Sequence, residues 1–188
     1  VLRPIEQGRS DGCALRDLSH RGQVMEQLAN ALDKVNIGVA HVVRWLALAM
    51  MLVQFTIVVG RYAFGVNSIA LQESVLYMHA ALFMLAAGYT LLVDKHVRVD
   101  VFYAKATPKT RRRIDIFGHL FLLMPSMIAL IYWSWPSVRN SWAILEGPIS
   151  VGGIEAVFLL KSLMPAFCVL VMLQSLALLI RLLAVKET

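Results

Sequence analysis

From Val39 onward the chain alternates long apolar runs with short polar breaks. Crossing about 30 Å of hydrocarbon as a helix takes roughly 20 mainly apolar residues. Four runs meet that need: about Val39 to Gly60, Ser74 to Val93, Ile114 to Trp135 and Val157 to Val185. The last is long enough to tilt in the bilayer or to project from it. Strands of a membrane barrel alternate polar and apolar residues, and these runs do not. The pattern therefore predicts an all-α membrane protein, with four transmembrane helices filling a membrane domain over 39–185.

Upstream, residues 1–18 form a polar tail carrying Arg3, Glu6, Arg9, Asp11, Arg16 and Asp17, without the apolar centre of a signal peptide. Between 19 and 38, Leu28, Leu32 and Val35 recur at helical spacing, continuing to Val39, while Glu26, Gln27, Asn30, Asp33 and Lys34 occupy other faces. This predicts an N-terminal amphipathic helix lying at the membrane interface. Ser19 is placed to cap its start, and Gly38 to allow the turn into the first span. A plain continuation of the first span into water fits the same residues.

Composition agrees with a membrane location. Hydrophobic residues make up 59% of the 188, against about 45 to 50% in soluble domains, and mean hydropathy is +0.67. The net charge of +6 is read as loop anchoring, not as a nucleic-acid surface. Fifteen of the eighteen Lys and Arg lie in the N-terminal segment, in the loop between the second and third spans, or at the C-terminal end. Only Arg61, Arg139 and Lys161 lie on the other side. The bias predicts a multi-pass protein of a bacterial inner membrane with both termini in the cytoplasm. Trp133, Trp135 and Trp142 fall near the opposite boundary, where an aromatic belt belongs. Cys13 and Cys168 form neither a metal pattern nor a disulfide framework.

Candidate chemistry is sparse. There is no P-loop, Gly-x-Ser-x-Gly or His-Glu-x-x-His signature, so the chain is read as no enzyme, with no cofactor. Arg61 closes the first span and Glu73 opens the second, placements that suit the helix dipoles and invite a pairing across the hairpin. His41, His79 and His119 lie within spans. Paired histidines in a four-helix bundle hold haem in some membrane anchors of redox complexes, which is the alternative reading. Histidines hydrogen-bonded at helix contacts are the plainer one. In the outer loop between the third and fourth spans, Arg139, Trp142 and Glu146 sit among Gly and Pro residues, a composition suited to binding a soluble partner. Pro125, Pro136 and Pro165 are candidate kinks.

Several of these residues together carry a resemblance. They are Arg61-Tyr62-Ala63-Phe64-Gly65, Glu73, Gly88, and the His96-Val97-Arg98-Val99-Asp100 segment followed by Pro108, the basic run Arg111, Arg112 and Arg113, and Asp115. The chain resembles the small, DctQ-like membrane subunit of tripartite ATP-independent periplasmic (TRAP) transporters from Val39 to Arg181. His96, Arg98 and Asp100 directly after the second span are the most specific element. Where the family often has a Trp before two acidic residues, this chain has Leu71-Gln72-Glu73, so no role is borrowed from that pair. The resemblance implies a scaffold subunit in sodium-coupled uptake of organic anions. It implies as partners a large membrane subunit, a periplasmic substrate-binding protein that docks transiently, and membrane lipids. It assigns no substrate, metal or catalytic site to the small subunit.

Overall fold

A computed structural model describes residues 7–93, 107–148 and 150–184. Those residues form four helical rods: α1 (Gln7–Phe64), α2 (Ile69–Leu92), α3 (Pro108–Ala143) and α4 (Val157–Ala184). Each contains a stretch long and apolar enough to cross a membrane, as the hydropathy pattern predicts. The elements outrun the apolar runs at several ends. Helix α2 begins at Ile69, not Ser74, because Ser68 caps it by accepting the Leu71 N–H at 3.4 Å. Helix α3 begins at Pro108, which suits a first turn because it lacks an N–H to leave unbonded, with Thr107 as its cap.

The turn expected at Gly38 is absent. Helix α1 runs through it without a break and covers 58 residues, about 87 Å at 1.5 Å per residue. It ends at Gly65, whose φ of 69° only a glycine adopts without strain, and the Val66 N–H closes on Gly60 O at 3.0 Å.

Helix α3 does change course. Residues Gly118–Leu123 form a π-helical turn in which the Met124 N–H bonds to His119 O, five residues back. The cause lies one residue on. Pro125 has no N–H, and in a regular α-helix its ring would press on the carbonyl of Phe121. Widening the preceding turn accommodates both problems and rotates His119 into the interior, where it is buried.

Helix α4 is the hub. It packs on α1, α2 and α3, whereas α1 and α2 pack on each other, and α3 packs chiefly on α4. An apolar core forms where Ala87 and Leu91 of α2 meet Val171 of α4, joined by Leu123, Met127, Phe167 and Leu178. Small residues let the rods approach closely: Ala29 of α1 and Ala177 of α4 are fully buried. At Gly88 of α2 the approach is closer still. A Cβ there would overlap the Asn36 amide and lie 3.1 Å from Leu170 O. The outward faces remain apolar, with Met51, Phe55, Phe83 and Phe121 exposed. A water-soluble monomer does not carry apolar surface on this scale.

Replacing Gly88 with Val should therefore push α2 off both α1 and α4. Overpacking of this kind costs about 1 to 3 kcal/mol. Thermal unfolding in detergent should show a clearly lowered midpoint for G88V; an unchanged midpoint would disprove the close approach.

Candidate functional site

The densest polar cluster lies where α1 and α4 cross near one end of the bundle. On α1, Ala29, Asp33 and Asn36 are buried while Leu28 and Val35 are exposed. The stripe that faces α4 is thus partly polar, and apolar residues of the amphipathic pattern face outward. Asn36 donates from Nδ2 to Gln174 Oε1 at 3.0 Å and to Leu170 O at 3.4 Å. Gln174 donates from Nε2 to Asp33 Oδ1 at 2.8 Å. Arg181 closes the series by donating from Nη2 to Asp33 Oδ2, as an ion pair, and to Asn30 Oδ1 at 2.8 Å.

One acceptor sets the direction of the whole series. An ionised Asp33 can only accept, so the Gln174 amide must turn its nitrogen to Asp33 and its oxygen to Asn36. Asn36 must in turn present its nitrogen to Gln174. Its Oδ1 is left facing α2, buried and without a hydrogen-bond donor, at the place where a side chain on residue 88 would stand. Only the Cα of a glycine fits there, and a weak Cα–H contact is the best donor that position offers.

Next to Gln174 on α4, Ser175 points to a different neighbour. Its Oγ lies 2.9 Å from His119 Nδ1 on the π-helical turn of α3. Consecutive residues of one helix thus bind α1 and α3. His41 bonds instead to Ile37 O on its own helix at 3.0 Å, and His79 packs against Phe83 with ring centroids 4.7 Å apart. Each histidine of the haem alternative has separate local company, and no contact favours that reading. Among the described residues, no group of three or more His, Cys, Asp or Glu is arranged to hold a metal ion.

The opposite end of the bundle is tied by different chemistry. The pairing expected between Arg61 and Glu73 does not form, because each finds a nearer partner. Arg61 donates to Asn67 Oδ1 at 3.1 Å, an oxygen that also accepts from Gln72 at 2.7 Å, so it is bound within its own hairpin. Glu73 reaches across to the start of α4 and accepts the Ile154 N–H at 2.7 Å, with Gly153 leaving room for its carboxylate.

In the outer loop, Glu146 is held by Ser141 Oγ at 2.6 Å and by the Lys161 ammonium. Those two hydrogen bonds, Lys161 first, hold its carboxyl below its ordinary value of 4.5. Trp142 donates from its indole to Ser162 Oγ at 2.8 Å and meets Phe158 edge-on at 4.7 Å. Trp142 and Glu146 are thereby clamped side by side on the first turns of α4, and Arg139 stands exposed outside that clamp.

Of the basic run, Arg112 donates from Nε to Leu182 O at 2.8 Å, tying the start of α3 to the end of α4, while Arg113 is exposed. His96, Arg98 and Asp100 lie outside the described residues.

The family model described as "Tripartite ATP-independent periplasmic transporters, DctQ component" matches residues 50–185. The chain belongs to the DctQ family. No curated protein and no solved structure matches it at a significant level. Members of the DctQ family are transporter components, not enzymes, and work with a large membrane subunit and a substrate-binding protein. In this DctQ chain the match takes in Gly88, Gln174 and Arg181 but begins after Asn30, Asp33 and Asn36. Half of the polar seam is thus contributed by the part of α1 that precedes the family match. Gln174 had no place in the sequence reading, since one amide inside an apolar run gives no sign of what it meets. The available signal was Asn36 and Asp33, three residues apart at the edge of a span.

Two measurements test these contacts. Replacing Gln174 with Leu strips Asn36 of its better acceptor and Asp33 of a donor, and stranded buried groups cost about 1 to 3 kcal/mol. Denaturation in detergent should show that loss, with N36A and Q174L together costing less than the sum of the single variants. A fully additive pair would deny the contact. For Glu146 the depressed folded pKa means its stabilisation is present above the ordinary value of 4.5 and is lost as pH falls through the folded value. The melting difference between wild type and E146Q should therefore be full above the ordinary carboxylate value and shrink as acidification protonates the folded Glu146; a difference independent of pH would disprove the clamp.

Proposed function

We propose that this chain braces the large subunit of a sodium-coupled TRAP transporter that takes up organic anions across a bacterial inner membrane. One distribution carries the reading: the strong interhelical polar contacts sit at the two ends of the bundle, while the exposed faces between them are apolar. A transport pathway wants convergent polar groups at mid-membrane, often on interrupted helices. A brace wants rods that cannot shift against each other and apolar faces to lay against a partner.

Both termini and the loop after α2 lie in the cytoplasm in this reading, on the strength of the Lys and Arg bias. The stretch 19–38, as the inner half of α1, then sets the depth and tilt of the scaffold at the cytoplasmic surface. His96, Arg98 and Asp100 belong to the same inner loop, with Arg111, Arg112 and Arg113 anchoring it against anionic headgroups. The clamped Trp142 and Glu146, with Arg139 beside them, form a rigid patch on the periplasmic side for docking of the substrate-binding protein. Rigidity there lowers the ordering cost of a transient contact.

Reconstitution of the three components in vesicles tests the reading. The chain alone should move no solute, and the large subunit should need it for full uptake. The double variant W142A/E146Q should weaken binding-protein docking, raising the concentration of binding protein needed for half-maximal uptake, while assembly with the large subunit is unchanged. Solute transport by the chain alone would overturn the proposal.

A further inference from the structure

A groove of about 420 Å³ opens where the first turn of α3 passes the last turn of α4. Its cationic lining is Arg111, Arg112 and Arg181, and its apolar lining is Pro108, Leu178 and Leu182. Asp115 is the single carboxylate in the lining. Three guanidinium groups against Asp115, and against the Asp33 carboxylate that Arg181 meets outside the lining, still leave the groove cationic at its edge, and it is greasy along its wall.

Arg112 and Arg181 are held in position by bonds that do not exhaust them. Arg112 uses Nε on Leu182 O, and Arg181 uses one terminal nitrogen on Asp33 and Asn30. A guanidinium carries five N–H donors in a fixed fork, and that fork matches phosphate. The apolar wall excludes a fully hydrated anion as the natural occupant, because Leu178 and Leu182 offer it nothing. The position, at the ends of two apolar membrane helices, supplies molecules that have an anionic phosphate joined to a hydrocarbon chain.

We infer that this groove is a binding site for one anionic phospholipid, its phosphate held by Arg111, Arg112 and Arg181 and an acyl chain lying along Leu178 and Leu182. The site rests on the chain being a membrane protein and not on which way round it sits, nor on the bracing role. Arg113, next in sequence to Arg112, lies outside the groove and is exposed. The basic run is thus divided: two members line a site, and the third contributes only to the general surface charge. Lipid bound there also joins α3 to α4 beside the Arg112 to Leu182 bond, at the end of the bundle where Arg181 already joins α4 to α1.

Native mass spectrometry of the full chain, released from detergent after adding either phosphatidylglycerol or phosphatidylcholine of the same acyl length, tests the site. Phosphatidylglycerol should be retained in a single tightly held copy and phosphatidylcholine should not. R111Q and R112Q should each weaken that retention about fivefold, the worth of one basic residue facing an anionic headgroup, while R113Q leaves it unchanged and R112K largely preserves it. R111Q leaves the Arg112 to Leu182 bond in place and carries the test should R112Q melt early. Equal retention of both lipids, an R113Q effect as large as that of R111Q, or displacement of the lipid by inorganic phosphate alone would each overturn the proposal.

Discussion

A carboxylate can accept hydrogen bonds and cannot donate them, and at Asp33 that rule propagates through three helices. It orients Gln174, which orients Asn36, which leaves an amide oxygen aimed at α2 and makes Gly88 the only comfortable neighbour. Arg181 balances the charge from the far side. Such a series is unforgiving in an apolar setting. Sliding α4 by one residue would misplace Gln174 and Arg181 together and strand several buried polar groups, each costly to leave unpaired. Apolar side chains alone are more permissive, because one Leu packs against another in many registers. The polar seam therefore specifies how α1 and α4 sit, and the core around Val171 fills in around that choice.

The rest of the bundle repeats the same logic with different groups. Ser175 and His119 attach α3 through a turn that Pro125 forces open. Glu73 holds the approach to α4 by a backbone N–H at the other end, and the Glu146 clamp secures the loop that precedes it. Because α4 or the loop that leads into it takes part in every one of these contacts, α1, α2 and α3 are registered against a common rod. A helix set tied at both ends resists the rocking that moves a transport domain, and its unpaired apolar faces call for lipid or protein. This pairing of internal fixity with external greasiness is what makes a bracing role the economical interpretation of a DctQ-family chain.

How far the sequence was legible follows from the range of each interaction. Four runs of apolar residues suffice to establish four helices, since in lipid the backbone must satisfy itself within each segment and a helix does so locally. Helix ends were less legible: hydropathy marks the apolar run and not the helix, so the runs from Ser74 and Ile114 missed the earlier starts that Ser68 and Thr107 cap. The family was legible because its marks are short strings at fixed positions, and the match over 50–185 shows the same family. Pairings were another matter. Arg61 and Glu73 are well placed for their helix dipoles, yet a short loop brought Asn67 nearer to one and a distant loop brought Ile154 nearer to the other.

By itself, then, the sequence determined the solvent, the number of membrane helices and the family, all of which depend on composition and short-range pattern. Only the tertiary structure decided which face of α1 is inside. The amphipathic rule assigns Asp33 and Asn36 to water because it scores each residue alone, and a polar residue is costly to bury alone. Gln174 and Arg181, some 140 positions later, remove that cost by completing its hydrogen bonds. No local pattern carries that information, because it belongs to neither residue until the chain has folded back to bring them together.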